Sequence, residues 1–185
     1  MGNIRNITVS GRIASGTTTL ARGIATKLGW SLLEGGALFE KYFDEKKGND
    51  ADRDDSVDLE YEEMIKQKLK TENNQVIQSH LAGFDAQGVE GVFKILVVCE
   101  DKNGKDKTEV RVDRLINRKG ISGEEAKKEI KLREEENLKK WRRLYADNDQ
   151  TWVYWDKKYY DLVVNTYELN KDEAIKQVLD ILQSK

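Results

Sequence analysis

Proline is absent from all 185 residues, and cysteine and histidine occur once each, as Cys99 and His80. Without proline, loop ends must be set by glycine, asparagine and aspartate. A lone cysteine excludes an internal disulfide, points to a reducing interior and suits a buried strand. No run approaches the ~18 apolar residues that would suggest a bilayer-crossing helix, and the N-terminus lacks an apolar leader. No membrane partner is expected, and the cytoplasm is the expected location. An excess of one charge is also missing: 32 basic residues face 34 acidic ones, for a formal charge of −2. That balance argues against a general nucleic-acid binder. The chain is long enough for one α/β domain with its own core, and a monomer is expected.

The most informative absence is a single lysine. Residues 11–18 read Gly-Arg-Ile-Ala-Ser-Gly-Thr-Thr, against the phosphate-loop pattern G-x-x-x-x-G-K-[ST]. Gly11 and Gly16 have the required spacing and Thr18 holds the hydroxyl position, but Thr17 stands where lysine is expected. The flanks fit: residues 4–10 are β-prone, and 18–28 place Leu20, Ile24 and Leu28 on one helical face. Strand, glycine loop and helix together aim backbone N–H groups and a helix dipole at a polyphosphate. The expected nucleotide-binding stretch is Gly11, Arg12, Ile13, Ala14, Ser15, Gly16, Thr17, Thr18 and Thr19. Thr18 is the candidate ligand for a magnesium ion. Positive charge for the phosphates must come from elsewhere.

Further strands are expected at 30–33, 75–79, 92–99 and 160–165. Helices are expected at 37–43, 57–69 (burying Leu59, Met64, Ile65 and Leu69), 108–118, 122–145 and 171–183, with a polar loop at 46–55. Ser122 followed by Glu125 has capping-box spacing, and Asn170 suits an N-cap. The alternation predicts a doubly wound parallel sheet with ligands at the carboxyl ends of its strands. The stretch 109–145 carries Arg111, Arg114, Arg118, Arg133, Lys139, Lys140, Arg142 and Arg143 around a Gly-Ile-Ser-Gly connector. Two arginine-bearing helices on a glycine hinge suit a closing lid for phosphoryl transfer. The same residues, mixed with glutamates, also suit an ordinary solvated helix. Trp152, Tyr154, Trp155, Tyr159 and Tyr160 could stack on single-stranded nucleic acid, but packing against the core is the expected role.

The order of segments is itself specific. Ile-Thr-Val-Ser-Gly…Ser-Gly-Thr-Thr-Thr-Leu-Ala is followed by Leu-Gly-Trp-Ser-Leu-Leu-Glu-Gly-Gly-Ala-Leu-Phe and Val-Ile-Gln-Ser-His-Leu-Ala-Gly-Phe. Then come Arg-Val-Asp-Arg-Leu-Ile-Asn-Arg-Lys-Gly, Arg-Glu-Glu-Glu-Asn and Tyr-Asp-Leu-Val-Val-Asn-Thr. Over nearly its whole length the chain resembles the cytidylate kinases, in particular their short, archaeal type. In that family Gly-Ser-Gly-Thr-Thr-Thr loops also occur.

The resemblance implies a P-loop α/β/α fold with a five-stranded parallel sheet. It divides the chain into a core (1–35, 72–110, 146–185), a monophosphate-binding insert (36–71) and a helical lid (111–145). It implies transfer of the ATP γ-phosphate to CMP or dCMP, with magnesium. Gly11 to Thr19 would cradle ATP, and Asn165 and Thr166 would lie near its adenine. Gly36, His80, Gly83 and Lys140 would border the acceptor. Arg114, Arg118 and Arg133 would be the catalytic lid arginines. Some positions depart from the family. His80 stands where arginine is common, Gln78 where an acid is common, and Glu136 and Asn137 where bacterial members have an arginine–aspartate pair. Tyr42, Phe43 and Tyr61 are candidates to stack on an acceptor base. Two other readings stay open: a kinase for another small acceptor, and a nucleotide binder with degraded catalysis.

Overall fold

The computed structural model describes residues 4–43 and 54–184. The first half contains β1 (Asn6–Gly11), α1 (Thr17–Leu28), β2 (Ser31–Glu34), α2 (Gly35–Phe43), α3 (Asp55–Thr71), β3 (Gln75–Gln78) and α4 (Ala82–Asp85). β4 (Val92–Val98), α5 (Thr108–Lys119), α6 (Gly123–Tyr145), β5 (Leu162–Asn165) and α7 (Lys171–Gln183) follow, with a 3-10 turn at Lys157–Tyr159. Among the described residues the five strands form one parallel sheet in the order β2-β3-β1-β4-β5.

The sheet is covered on both faces, as parallel sheets require. All of β1 is buried, and so is β4 except for Lys94. Successive residues of β3 go to opposite layers. Val76 joins Leu20 and Ile24 of α1 and Ile175 and Val178 of α7, whereas Ile77 joins Tyr61, Ile65 and Leu69 of α3. Each such side chain contributes about 1.5–3 kcal/mol when taken out of water. A third cluster sets Ile13 of the glycine loop against Leu115 of α5 and Ala126 and Ile130 of α6. The strand order reverses at β1, which lies between β3 and β4. A crevice therefore opens past its carboxyl end, where an α/β sheet binds ligand.

Each expected strand and helix is present within two residues at either end; the polar loop expected at 46–55 lies, as far as residue 53, outside the described residues. Both expected caps form. The Ser122 hydroxyl accepts the Glu125 N–H at 3.2 Å while the Glu125 carboxylate accepts the Ser122 N–H at 2.9 Å. Asn170 likewise accepts the N–H groups of Asp172 and Glu173.

Leu59 departs from expectation: it is 48% exposed. The inward face of α3 runs through Asp58, Tyr61, Ile65 and Leu69, spaced 3, 4 and 4 apart as one helical face requires, so a carboxylate takes the core position beside Leu59. Ala82–Asp85 closes one turn of helix after β3. The aromatic cluster packs inward: Trp152 and Tyr154 are buried with Trp141 and Leu81.

Candidate functional site

The loop at the crevice begins where β1 ends. At Gly11 a Cβ would fall 2.5 Å from the Val97 carbonyl oxygen and 2.7 Å from the Ser15 hydroxyl, so only glycine fits. Ala14 and Gly16 adopt positive φ, 59° and 107°, which curl the backbone into a nest. Gly16 caps α1 without a side chain to satisfy the first-turn N–H groups. Among the described residues the N–H groups of Ala14, Gly16, Thr17 and Thr18 donate to no protein acceptor. Unsatisfied donors at a helix start form an anion site.

This loop floors a cavity of about 810 Å³, walled by Arg114, Asn117 and Arg118 of α5, by Thr166, and by Leu169 to Lys171 at the start of α7. That volume lies in the range of ligand sites. The structure therefore brings Ala14, Gly16, Thr17, Thr18 and Thr19 together with Arg114 and Arg118 across one space. Arg118 is exposed and has no hydrogen-bond or ion-pair partner among the described residues. Arg114 donates to the Ser15 carbonyl at 3.0 Å, to the Thr166 hydroxyl at 2.9 Å and to the Thr166 carbonyl at 2.7 Å.

Behind the loop lies a buried polar network. Arg111, fully buried, donates to the Ile13 carbonyl at 2.8 Å and pairs with Glu134 at 2.7 Å and Asp106 at 2.9 Å. Burial lowers the pKa of its guanidinium, but the Glu134 and Asp106 charges outweigh burial and hold it above its ordinary value. Arg12 turns away from the cavity into the same network. It pairs with Glu134 at 2.5 Å and Asp106 at 3.3 Å, and its guanidinium lies 4.7 Å over the Trp155 ring.

The other expected residues lie elsewhere. Arg133 pairs with Glu129 on its own helix at 3.4 Å and does not line the cavity. Lys140 forms a buried ion pair with Asp58 at 2.5 Å. His80 places Nδ1 3.0 Å from the Gly11 carbonyl; a carbonyl only accepts, so Nδ1 carries the proton. Gly83 is buried, and a Cβ there would meet the Tyr160 ring at 2.2 Å, so its role in the structure is close packing. Gly36 is exposed with open space around it. Thr18 donates to the Gln78 side-chain oxygen at a long 3.4 Å. The Tyr61 hydroxyl donates to the Gly35 carbonyl at 3.2 Å, while the side chains of Tyr42 and Phe43 lie outside what is described.

Glu134, Asp106, Asn117 and Lys171 are site neighbours that the sequence did not single out. One signal was present. Ala126, Ile130, Glu134, Asn137 and Trp141 form one buried stripe of α6, and a glutamate on an apolar stripe needs a partner.

A family model described as the cytidylate kinase-like family matches residues 33–168. The chain is also similar to the cytidylate kinase of Methanopyrus kandleri, with 33% identity over 182 residues, covering 91% of this chain and 88% of that one. It is 26% identical to the cytidylate kinase of Archaeoglobus fulgidus, with 97% and 95% covered. Among solved structures, an uncharacterized protein from Eubacterium ventriosum superposes with a TM-score of 0.68 at 15% identity, covering 98% and 99% of the two chains. The shikimate kinase of Bacteroides thetaiotaomicron gives 0.65 at 16% identity, covering 97% and 98%. At these identities the structural likeness is one of fold.

Proposed function

The chain belongs to the cytidylate kinase-like family, and from that premise we propose that it transfers the γ-phosphate of ATP to CMP or dCMP. Fold and family make it a P-loop phosphotransferase of the nucleoside-monophosphate kinase type. The observation that carries the proposal is the shared cavity, where the loop amides and the α5 arginines face one space. Phosphoryl transfer needs little covalent help from protein; it needs positioning and cations on the moving group. In this reading the unsatisfied N–H groups from Ala14 to Thr18 hold the ATP phosphates, and Thr166 and Asn170 border the nucleoside. The acceptor enters from the side of α2 and α3, near Gly36 and His80. Arg118 and Arg133 reach the transferring group when the α5–α6 hairpin closes over it.

The residues also fit a magnesium ion carried in on the nucleotide. Magnesium takes few protein ligands and keeps waters and phosphate oxygens. Thr18 would hold it, with Gln78 beside it through their paired oxygens; bound there, it would neutralise phosphate charge.

The names of the relatives support CMP as the acceptor, while the shared fold of a shikimate kinase makes acceptor choice the point to test. A coupled ADP-release assay with CMP, dCMP, UMP, AMP, GMP and shikimate is expected to give turnover with CMP and dCMP well above the rest. A preference for another acceptor would overturn the cytidylate assignment. ATP binding without transfer to any of them would establish a nucleotide binder instead.

A further inference from the structure

The loop has lost its lysine, and two arginines reach it from outside. Arg111 donates to the Ile13 carbonyl and Arg114 to the Ser15 carbonyl. In a trans peptide, C=O and N–H point in opposite directions. A carbonyl drawn outward at Ile13 therefore turns the Ala14 N–H inward, and one drawn outward at Ser15 does the same for Gly16. The Ser15 carbonyl is gripped twice, since the Thr166 hydroxyl also donates to it at 2.6 Å.

The two arginines differ in charge balance. Arg111 and Arg12 share Glu134 and Asp106, two cations against two carboxylates. Arg114 has only neutral acceptors: the Ser15 carbonyl and the Thr166 hydroxyl and carbonyl. Among the described residues, it is the guanidinium that both touches the loop backbone and has no carboxylate partner. It also borders the cavity.

We infer that Arg114 is a positioning residue that braces the phosphate loop from behind, turning the Gly16 amide toward the polyphosphate and supplying the cationic charge that Thr17 does not. The inference rests on the proposed function only in seating a polyphosphate on this loop. It assigns Arg114 an indirect role, through the Ser15–Gly16 peptide, rather than a grip on the transferring group.

The test is a ladder of ligands titrated by calorimetry into the full chain with magnesium: tripolyphosphate, ATP, ADP and adenosine. Arg114→Gln is expected to weaken tripolyphosphate and ATP by about ten- to a hundredfold, the range for losing a charged hydrogen bond. ADP should lose less, and adenosine should be unchanged. Adding Thr17→Lys to Arg114→Gln should recover most of the loss, because it returns a cation to the same phosphates. Should Arg114→Gln fail to fold, Arg114→Lys carries the same ladder; it keeps the charge but not the planar fork, so a smaller loss is expected. Unchanged tripolyphosphate affinity, an equal loss for adenosine, or no recovery with Thr17→Lys would each overturn the inference. Wild-type phosphate transfer alongside an unchanged ladder would sink this inference alone. A ladder as expected without transfer to any acceptor would sink the kinase reading alone.

Discussion

The two halves of α6 are built differently. Its first half, from the Ser122 cap, buries only Ala126 and Ile130, and carries partly exposed ion pairs: Arg133 with Glu129, Lys131 with Glu135, and Glu129 with Lys119 at the end of α5. Its second half buries Glu134, Asn137 and Lys140 beside Trp141. Glu134 ties it to the phosphate loop through Arg12 and Arg111, and Lys140 ties it to α3 through Asp58. Solvated pairs are worth little and break easily, whereas separating buried pairs exposes charges to a low-dielectric interior. One continuous helix thus joins a root held by buried ion pairs to a tip whose ion pairs are partly exposed. The expectation of a lid spanning 111–145 treats both halves alike. We propose that lid motion is confined to the α5–α6 connector and the turns around it, bringing Arg133 toward the cavity that Arg118 already lines while the root keeps the loop in shape.

The sharpest way to break this comparison is at the root. Lys140→Met leaves the Asp58 carboxylate enclosed without its cation, and is expected to cost about 3–5 kcal/mol in urea unfolding. Pairing it with Asp58→Leu should recover much of that, since two apolar side chains replace a buried ion pair without stranding a charge. A loss under ~1 kcal/mol for Lys140→Met, the range of a solvated pair, would show that the root is no more fixed than the tip.

A smaller effect comes from the far end of the root, where Asp85 lies near Tyr145. Burial pushes the Asp85 carboxyl up to about 6, against a hydrogen bond with Glu62 and the charge of Lys66. A raised carboxyl pKa means that the folded state holds the proton more tightly. The stabilisation is therefore complete below the ordinary carboxylate pKa and is lost as pH rises through about 6. A shift of this size corresponds to about 3 kcal/mol. Asp85→Asn keeps the neutral form at every pH, so the variant should gain stability relative to wild type by roughly that amount between pH ~4 and ~7. A constant difference across that range would remove Asp85 from the pH response of the root.

The sequence made the sheet and the loop legible because both are local signals. The apolar run of β4, the Gly11 and Gly16 spacing and the Ser122–Glu125 cap each lie within a few residues. What stayed hidden depends on partners far along the chain. Arg12 looked free to face solvent or phosphate, but its carboxylate partner Glu134 is 122 residues away. Leu59 looked like core, because only the fold brings Lys140 to the position where Asp58 is buried instead. Arg114 read as a lid arginine aimed at substrate. That its fork meets the Ser15 carbonyl depends on Thr166 being next to it, 52 residues later.

The smallest expected effect tests the tip. Ser122→Ala removes the hydroxyl that accepts the Glu125 N–H, while the Glu125 carboxylate can still accept the backbone N–H of residue 122. Loss of such a cap costs about 1 kcal/mol. If the tip opens on its own, that cost falls on local opening rather than on global unfolding. Amide exchange over residues 123–130 should then speed up about fivefold, the factor equivalent to ~1 kcal/mol, while exchange over 134–145 and the urea midpoint stay as in wild type. Equal acceleration along the whole helix would mean that α6 opens as one unit, and the division between root and tip would fail.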